Sequence, residues 1–296
     1  MTHEPDAAPH TSPLIDAARL RAWLANHTPP DLVDATWFLP GSGETDADAF
    51  AARHIPGAVF LDIDTVADQA SPLPHMLPSP DMAARAFAAL GLHPGRPVVV
   101  YDQSPMRSAA RVWWMLRAFG FTDVAVLDGG LNAWQASGGP IADGAASDGA
   151  EPEPLPATLP ATLADPRGVA DLGAVRDALD DPDAVVLDAR PAERFTGAVP
   201  EPRPGLRPGH MPGAVNLPLG CLYHPDGTML EKAQLIDLFT SHGVAEADRI
   251  VTSCGSGVTA ASLVLALAVV GRTAELYDAS WAEWGGRQDC PVATGG

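Results

Sequence analysis

The stretch RIVTSCGSGVTAASLVLALAVV, residues 249–270, decides the fold. It opens with a strand-length run centred on Ile250, Val251 and Thr252, passes through the glycine-rich turn CGSG, and continues as an apolar segment of helical length. Strand, tight turn and apolar helix in succession belong to a parallel sheet covered by helices, in which the carboxyl end of each strand feeds a loop and then a helix. Cys254 stands at that edge, as the first residue of the turn.

Working outward, the surroundings of this stretch occur twice. LVDATW with Asp34 answers VLDARP with Asp188, and RHIPGAVFLDI with His54 answers GHMPGAVNLPL with His210. PVVVYD ends at Asp102 as RIVTSC ends at Cys254, and LDGGLNAW with Trp134 answers YDASWAEW with Trp284. The four offsets lie between 150 and 156 residues and keep their order, which indicates duplicated domains. At 296 residues the chain has the length of two ordinary domains. The boundaries read as a first domain at 1–142, a linker at 143–165 rich in Pro, Ala and acidic residues, extended and semi-stiff, and a second domain at 166–296.

Within the first copy, strands are expected at 32–35, 59–61, 98–101 and 124–127, and helices at 16–25, 81–90 and 108–119. Ser79 caps the middle helix, with Pro80 in its first turn. The second copy gives strands at 185–187, 250–253 and 275–277 and helices at 172–179, 232–240 and 258–270. Each half is therefore an α/β domain with an open, mainly parallel sheet and helices on both faces.

Composition narrows the function. Lys and Arg number 18 against 37 Asp and Glu, a net charge of −19, and no basic stripe exists to neutralise phosphates, which argues against nucleic acid. The N-terminal MTHEPDAAPHTSP lacks the basic and apolar regions of a signal peptide, and the apolar run 263–270 is too short to span a bilayer, so it reads as a buried core helix. Cys221, Cys254 and Cys290 form neither a metal-ligand pattern nor an even disulfide framework, and a reducing cytoplasm fits them best. No metal and no organic cofactor is expected.

Of the three, Cys254 carries the chemistry. Gly255 and Gly257 let successive N–H groups turn inward, and the helix expected from Val258 adds its positive end, a setting that favours an anionic sulfur. Cys221 and Cys290 lack such a turn and read as inert thiols. At the position matching Cys254 the first copy has Asp102, without flanking glycines, so one copy reads as reactive and the other as scaffold.

Tandem domains, the words HIPGA and HMPGA, and the loop CGSGVTA together resemble the rhodanese superfamily, and within it the mercaptopyruvate-type sulfurtransferases, over almost the whole chain. The resemblance implies that Cys254 takes the outer sulfur of a small anionic donor, 3-mercaptopyruvate, as a persulfide and passes it to a thiol acceptor such as reduced thioredoxin, or to cyanide. It implies that Ser256 works with His75 of HMLP and Asp64 of FLDID, and that Arg194 and Arg203 of DARPAERFTGAVPEPR hold the substrate carboxylate and carbonyl. The loop amides of Gly255, Gly257, Val258 and Thr259 complete the binding site. Arg190 is open between a structural pair with Asp188 and substrate contact, and Arg207 reads as a solvated surface residue. Arg107 in SPMRSAAR stands where relatives often have an aromatic residue, and a cation at the mouth of the site would assist thiosulfate.

Two other readings remain. A thiosulfate sulfurtransferase shares the fold but usually carries a basic cysteine loop to meet its dianionic donor, and the loop here is uncharged. A non-enzymatic persulfide relay would have little use for a pair of arginines suited to a small carboxylate. A phosphatase of the C-x5-R type is set aside, because Ala260 occupies the position of its arginine.

Overall fold

The structure, a computed structural model, describes residues 12–43, 45–144, 163–165 and 168–295. Most of the segment read as a linker and nearly all of the N-terminal stretch discussed above lie outside the described residues. In the first half the elements run β1 (Leu14–Ile15), α1 (Ala17–Leu24), β2 (Asp31–Asp34), α2 (Asp46–Ala52), β3 (Val59–Phe60), α3 (Pro80–Ala89), β4 (Val98–Tyr101), α4 (Ala109–Ala118), β5 (Val124–Leu127) and α5 (Gly130–Ala136). The second half repeats them as β6 (Val169–Ala170), α6 (Leu172–Asp180), β7 (Ala184–Asp188), α7 (Ala192–Phe195), β8 (Val215–Asn216), α8 (Lys232–Ser241), β9 (Arg249–Ser253), α9 (Ala260–Val270), β10 (Glu275–Tyr277) and α10 (Ser280–Trp284).

Two five-stranded sheets form, ordered β1-β5-β4-β2-β3 and β6-β10-β9-β7-β8, and every pairing is parallel. The second order is the first with five added to each strand number, so the duplication extends to topology. It extends to side chains as well. His54 and His210 each stack on a phenylalanine, Phe50 and Phe195, and hydrogen-bond its carbonyl through Nδ1 at 2.9 and 2.8 Å. Trp134 and Trp284 each donate to a carbonyl a few residues on, that of Pro140 at 2.8 Å and that of Pro291 at 2.7 Å. These repeated words are therefore packing devices of the domain, and none of the four side chains faces the chemistry.

Strands β4 and β5 and helix α3 with its Ser79 cap fall where the sequence puts them. The two-residue strands β1, β6 and β8 and the short helices α2, α5, α7 and α10 escape a reading by periodicity, because elements this short show no period. Helix α9 begins at Ala260, two residues later than expected: Gly257 adopts φ +78°, which no helix accommodates, and residues 258–259 form a turn before the helix starts.

Helix α9 is buried from Ala260 to Leu267 and packs on α4, which is buried over nearly its whole length. Their contact joins the two halves through one continuous core that includes Val112, Leu116, Leu263 and Leu267. Both helices follow a loop at the carboxyl end of a central strand, so their packing brings the Asp102 loop and the Cys254 loop to the same side of the molecule. Among the described residues no helix is long and apolar enough to cross a membrane.

Burial raises the pKa of Asp102 to about 6, although its Oδ2 accepts the Ala109 N–H at 2.8 Å. A carboxyl raised on folding favours the folded state below its unfolded pKa and loses that advantage as pH rises through the folded value. Asp102→Asn removes the buried charge, so at pH 7 it should raise stability by about 2–3 kcal/mol, with the gain fading below pH 4. Urea unfolding at the two pH values measures this.

Candidate active site

Cys254 leaves β9 with its side chain 1% exposed, at the base of a narrow pocket of about 30 Å³. The first domain contributes Trp37, Leu39 and Met106 to the walls, and the second contributes Arg194, Pro202, Arg203 and residues of the turn. The turn is pinned from below: the Cys254 N–H donates to Ser280 Oγ at 3.1 Å, and the carbonyls of Cys254 and Gly255 accept the N–H groups of Trp281 and Ala282 at 3.0 and 2.9 Å. Among the described residues, none accepts a hydrogen bond from the N–H groups of Gly255, Ser256, Gly257, Val258 or Thr259. The turn thus presents unclaimed donors next to the sulfur, the arrangement in which a backbone nest holds an anion.

Ser256 Oγ lies 2.9 Å from His75 Nδ1, and His75 Nε2 lies 2.8 Å from Asp64 Oδ1. Trp37 donates its indole N–H to the other oxygen of Asp64 at 3.1 Å, and its ring meets the imidazole edge-on with centroids 5.0 Å apart. The hydrogen bond from His75 holds the Asp64 carboxyl below the usual carboxylate range, against the opposing effect of burial. An ionised Asp64 accepts only, so in the neutral imidazole Nε2 carries the proton and Nδ1 is left to accept the Ser256 hydroxyl. The chain runs from buried groups to water: the His75 side chain is 4% exposed, whereas that of Asp64 is 53% exposed. It also crosses the domain boundary, with Ser256 on one side and His75 and Asp64 on the other.

Arg194 and Arg203 converge over the turn. A Cβ on Gly255 would lie 3.1 Å from Arg194 Nη2 and 3.9 Å from Arg203 Nη1, so a side chain at that position would crowd Arg194 and touch Arg203. Arg194 is paired with Glu201, which is also bonded to Arg190 at 2.9 Å. Arg203 makes no ion pair or hydrogen bond among the described residues, and burial lowers its pKa from the usual arginine value. The pocket therefore has one half-buried cation beside the sulfur that is in no contact ion pair among the described residues, with Asp64 and Glu201 acting on it only from a distance. Arg190 is committed elsewhere: it pairs with Asp188 at 2.7 Å, donates to the Gly209 carbonyl and stacks on Trp281. Its structural reading accounts for every donor nitrogen.

One expectation of the sequence meets a different geometry, and one is placed more closely. Arg207 is not a free surface cation; it donates to the carbonyls of Trp284 and Gly285 at 3.0 Å each, closing the carboxyl end of α10. Arg107 lies outside the Cys254 pocket, stacked 5.0 Å above Tyr223 in an adjoining apolar groove of about 780 Å³. Of the other cysteines, Cys290 is buried and Cys221 is exposed on a 3₁₀ turn at Leu219–Leu222. Trp37, Glu201 and Ser280 were not singled out. Glu201 stands within PEPR, where the arginine draws attention, and Trp37 and Ser280 reach their partners only through the fold. Among the described residues, the carboxylates of Asp46, Asp62 and Asp64 come within 4.8 Å of one another and are the cluster able to hold a cation, but each already accepts hydrogen bonds from protein donors.

A profile described as Rhodanese-like domain matches residues 16–137 and again 171–287. The chain belongs to the rhodanese family. Its two rhodanese domains are 42% identical to the 3-mercaptopyruvate sulfurtransferase of Escherichia coli strain K12 over 275 residues, covering 91% of this chain and 95% of that protein. They are 38% identical to the mitochondrial thiosulfate/3-mercaptopyruvate sulfurtransferase 1 of Arabidopsis thaliana, over 91% of this chain and 76% of that one. The crystal structure of SseA from Escherichia coli, described as a 3-mercaptopyruvate sulfotransferase with the rhodanese fold, superposes with a TM-score of 0.79 at 37% identity, covering 92% of this chain and all of the other.

Within the turn, Gly257 fills a place no other residue fits. At φ +78°, a Cβ would lie 2.7 Å from the Asp278 carbonyl oxygen and 3.0 Å from Arg111 Nη1. Gly257→Ala should destabilise the protein by about 1–3 kcal/mol, read as a lowered urea midpoint at unchanged slope.

Proposed function

We propose that the protein is a sulfurtransferase that moves sulfur from 3-mercaptopyruvate to a thiol acceptor, or to cyanide, through a persulfide on Cys254. One observation carries the reading: a single thiol at the base of a two-domain pocket, with unclaimed amides beside it, an arginine in no contact ion pair over it and a Ser256–His75–Asp64 chain alongside. The names of the relatives at about 40% identity agree with it.

In this reading the substrate carboxylate and carbonyl sit on Arg203 and on Nη1 of Arg194, the nitrogen not bonded to Glu201. Cys254 thiolate attacks the substrate sulfur, an S–S bond forms, the C–S bond breaks, and its electron pair passes to carbon as the enolate of pyruvate. The proton of the substrate thiol ends on that carbon, so the products are pyruvate and an ionised persulfide. Ser256 and His75 lie where such a proton must travel, and Asp64 holds the imidazole in the accepting tautomer. The amides of Gly255, Gly257, Val258 and Thr259 then hold the anionic sulfur until the acceptor thiol takes the outer atom. No metal or organic cofactor enters these steps. A thiolate that must stay reduced, and an acceptor such as reduced thioredoxin, suit the cytoplasm. With a net charge of −19, nucleic acid is not a partner in this reading.

Thiosulfate is the second donor to weigh, because the Arabidopsis relative carries both names. Against it stands the uncharged turn; Arg107 lines the adjoining groove and not the Cys254 pocket itself. Steady-state kinetics should give a higher kcat/KM for 3-mercaptopyruvate than for thiosulfate, and the reverse ranking overturns the choice of donor. Arg203→Ala should lower kcat/KM for 3-mercaptopyruvate about 10- to 100-fold, the loss of one charge-assisted contact, and unchanged kinetics would remove Arg203 from the site.

A further inference from the structure

The relay histidine sits in a main-chain conformation that needs an outside hold. His75 has φ +60°, a left-handed geometry that costs a non-glycine residue about 1 kcal/mol or more, and it lies in a loop without regular structure. That loop is gripped at two points, at the histidine's own carbonyl and two residues further on. Arg111, on α4 and 0% exposed, donates through Nη2 to the His75 carbonyl. Asp278, just past β10 in the other domain, accepts the Leu77 N–H at 2.7 Å. The two grips are tied to each other, because Arg111 Nη1 lies 2.7 Å from Asp278 Oδ1 with both side chains buried. The cysteine turn rests on the same pair, since Gly257 approaches Arg111 and the Asp278 main chain so closely that no side chain fits between.

We propose that the buried Arg111–Asp278 ion pair is the positioning device of the relay, fixing His75 so that Nδ1 faces Ser256 only when the two domains are docked. A buried charge pair is seldom the cheapest way to hold a core together, and apolar residues of similar volume usually serve stability as well or better. What apolar residues cannot supply is a donor for the His75 carbonyl and an acceptor for the Leu77 N–H. Without these the loop is free to return to negative φ, and the imidazole turns away from Ser256. Arg111 and Asp278 touch neither substrate nor sulfur in this account; with Gly257 kept, apolar side chains of similar volume leave the cysteine turn its room, and the effect of the lost hydrogen bonds passes through His75. The inference rests on the relay described under the proposed function.

The test is a double-mutant cycle on 3-mercaptopyruvate turnover. Arg111→Met alone leaves Asp278 as an unpaired buried carboxylate and can unfold the chain, so the paired variant Arg111→Met/Asp278→Leu is measured with it, each checked by thermal unfolding. The folded paired variant should lose about 100-fold in kcat, the scale of a misplaced catalytic group, with KM nearly unchanged because Arg194 and Arg203 are untouched. His75→Ala should cost a similar factor, and adding it to the paired variant should cost little more. Losses that multiply would mean the pair acts independently of His75 and would overturn the inference, as would a paired variant with wild-type kcat. If His75→Ala itself runs at the full rate, the relay is wrong and the inference falls with it, a result that differs from failure of the clamp alone.

Discussion

The packing of α4 against α9 is the contact on which the site depends. Each helix is apolar over most of its surface and starts beyond a loop at the carboxyl end of a central strand. Burying the two stripes against each other therefore forces the two loops to face one another across the seam. The site is a by-product of that geometry: the second copy brings Cys254 and Ser256, the first brings His75, Asp64 and Trp37, and neither copy alone has a complete set. Duplication supplied two similar surfaces, which differ at the matching strand ends in carrying Asp102 and Cys254.

Electrostatics are managed locally against a strongly acidic background. A chain with net charge −19 that takes an anionic substrate needs positive charge where the substrate binds. Four arginines lie between residues 190 and 207, yet three are claimed: Arg190 by Asp188 and Glu201, Arg194 in part by Glu201, and Arg207 by carbonyls at the end of α10. Arg203 is left to face the pocket outside any contact ion pair among the described residues. One free cation with a nest of amides matches a monocarboxylate and a single anionic sulfur, and matches a dianion less well.

The fold was readable because duplicated words, apolar strands and capped helices all pointed the same way. Cys254 was readable because a glycine-rich turn at a strand end has a physical use. Ser256, His75 and Asp64 came from resemblance, since 181 residues separate the first two and no local pattern announces their contact. The pairing of Arg111 with Asp278 was not legible. An arginine in the apolar helix AARVWWMLRA signals that a buried partner must exist, but the sequence does not say which of 37 acidic residues it is. Glu201 was hidden for a related reason: its carboxylate is buried by the arginines it neutralises, in a segment that otherwise reads as exposed and polar.

Mass spectrometry of the intact protein and its peptides, after exposure to 3-mercaptopyruvate with no acceptor present, tests the central claim most directly. The account predicts one added sulfur per chain, located on the peptide containing Cys254 and released on addition of a thiol. Sulfur carried instead on the exposed Cys221 or on Cys290, or an equal gain by a Cys254→Ser protein, would contradict it.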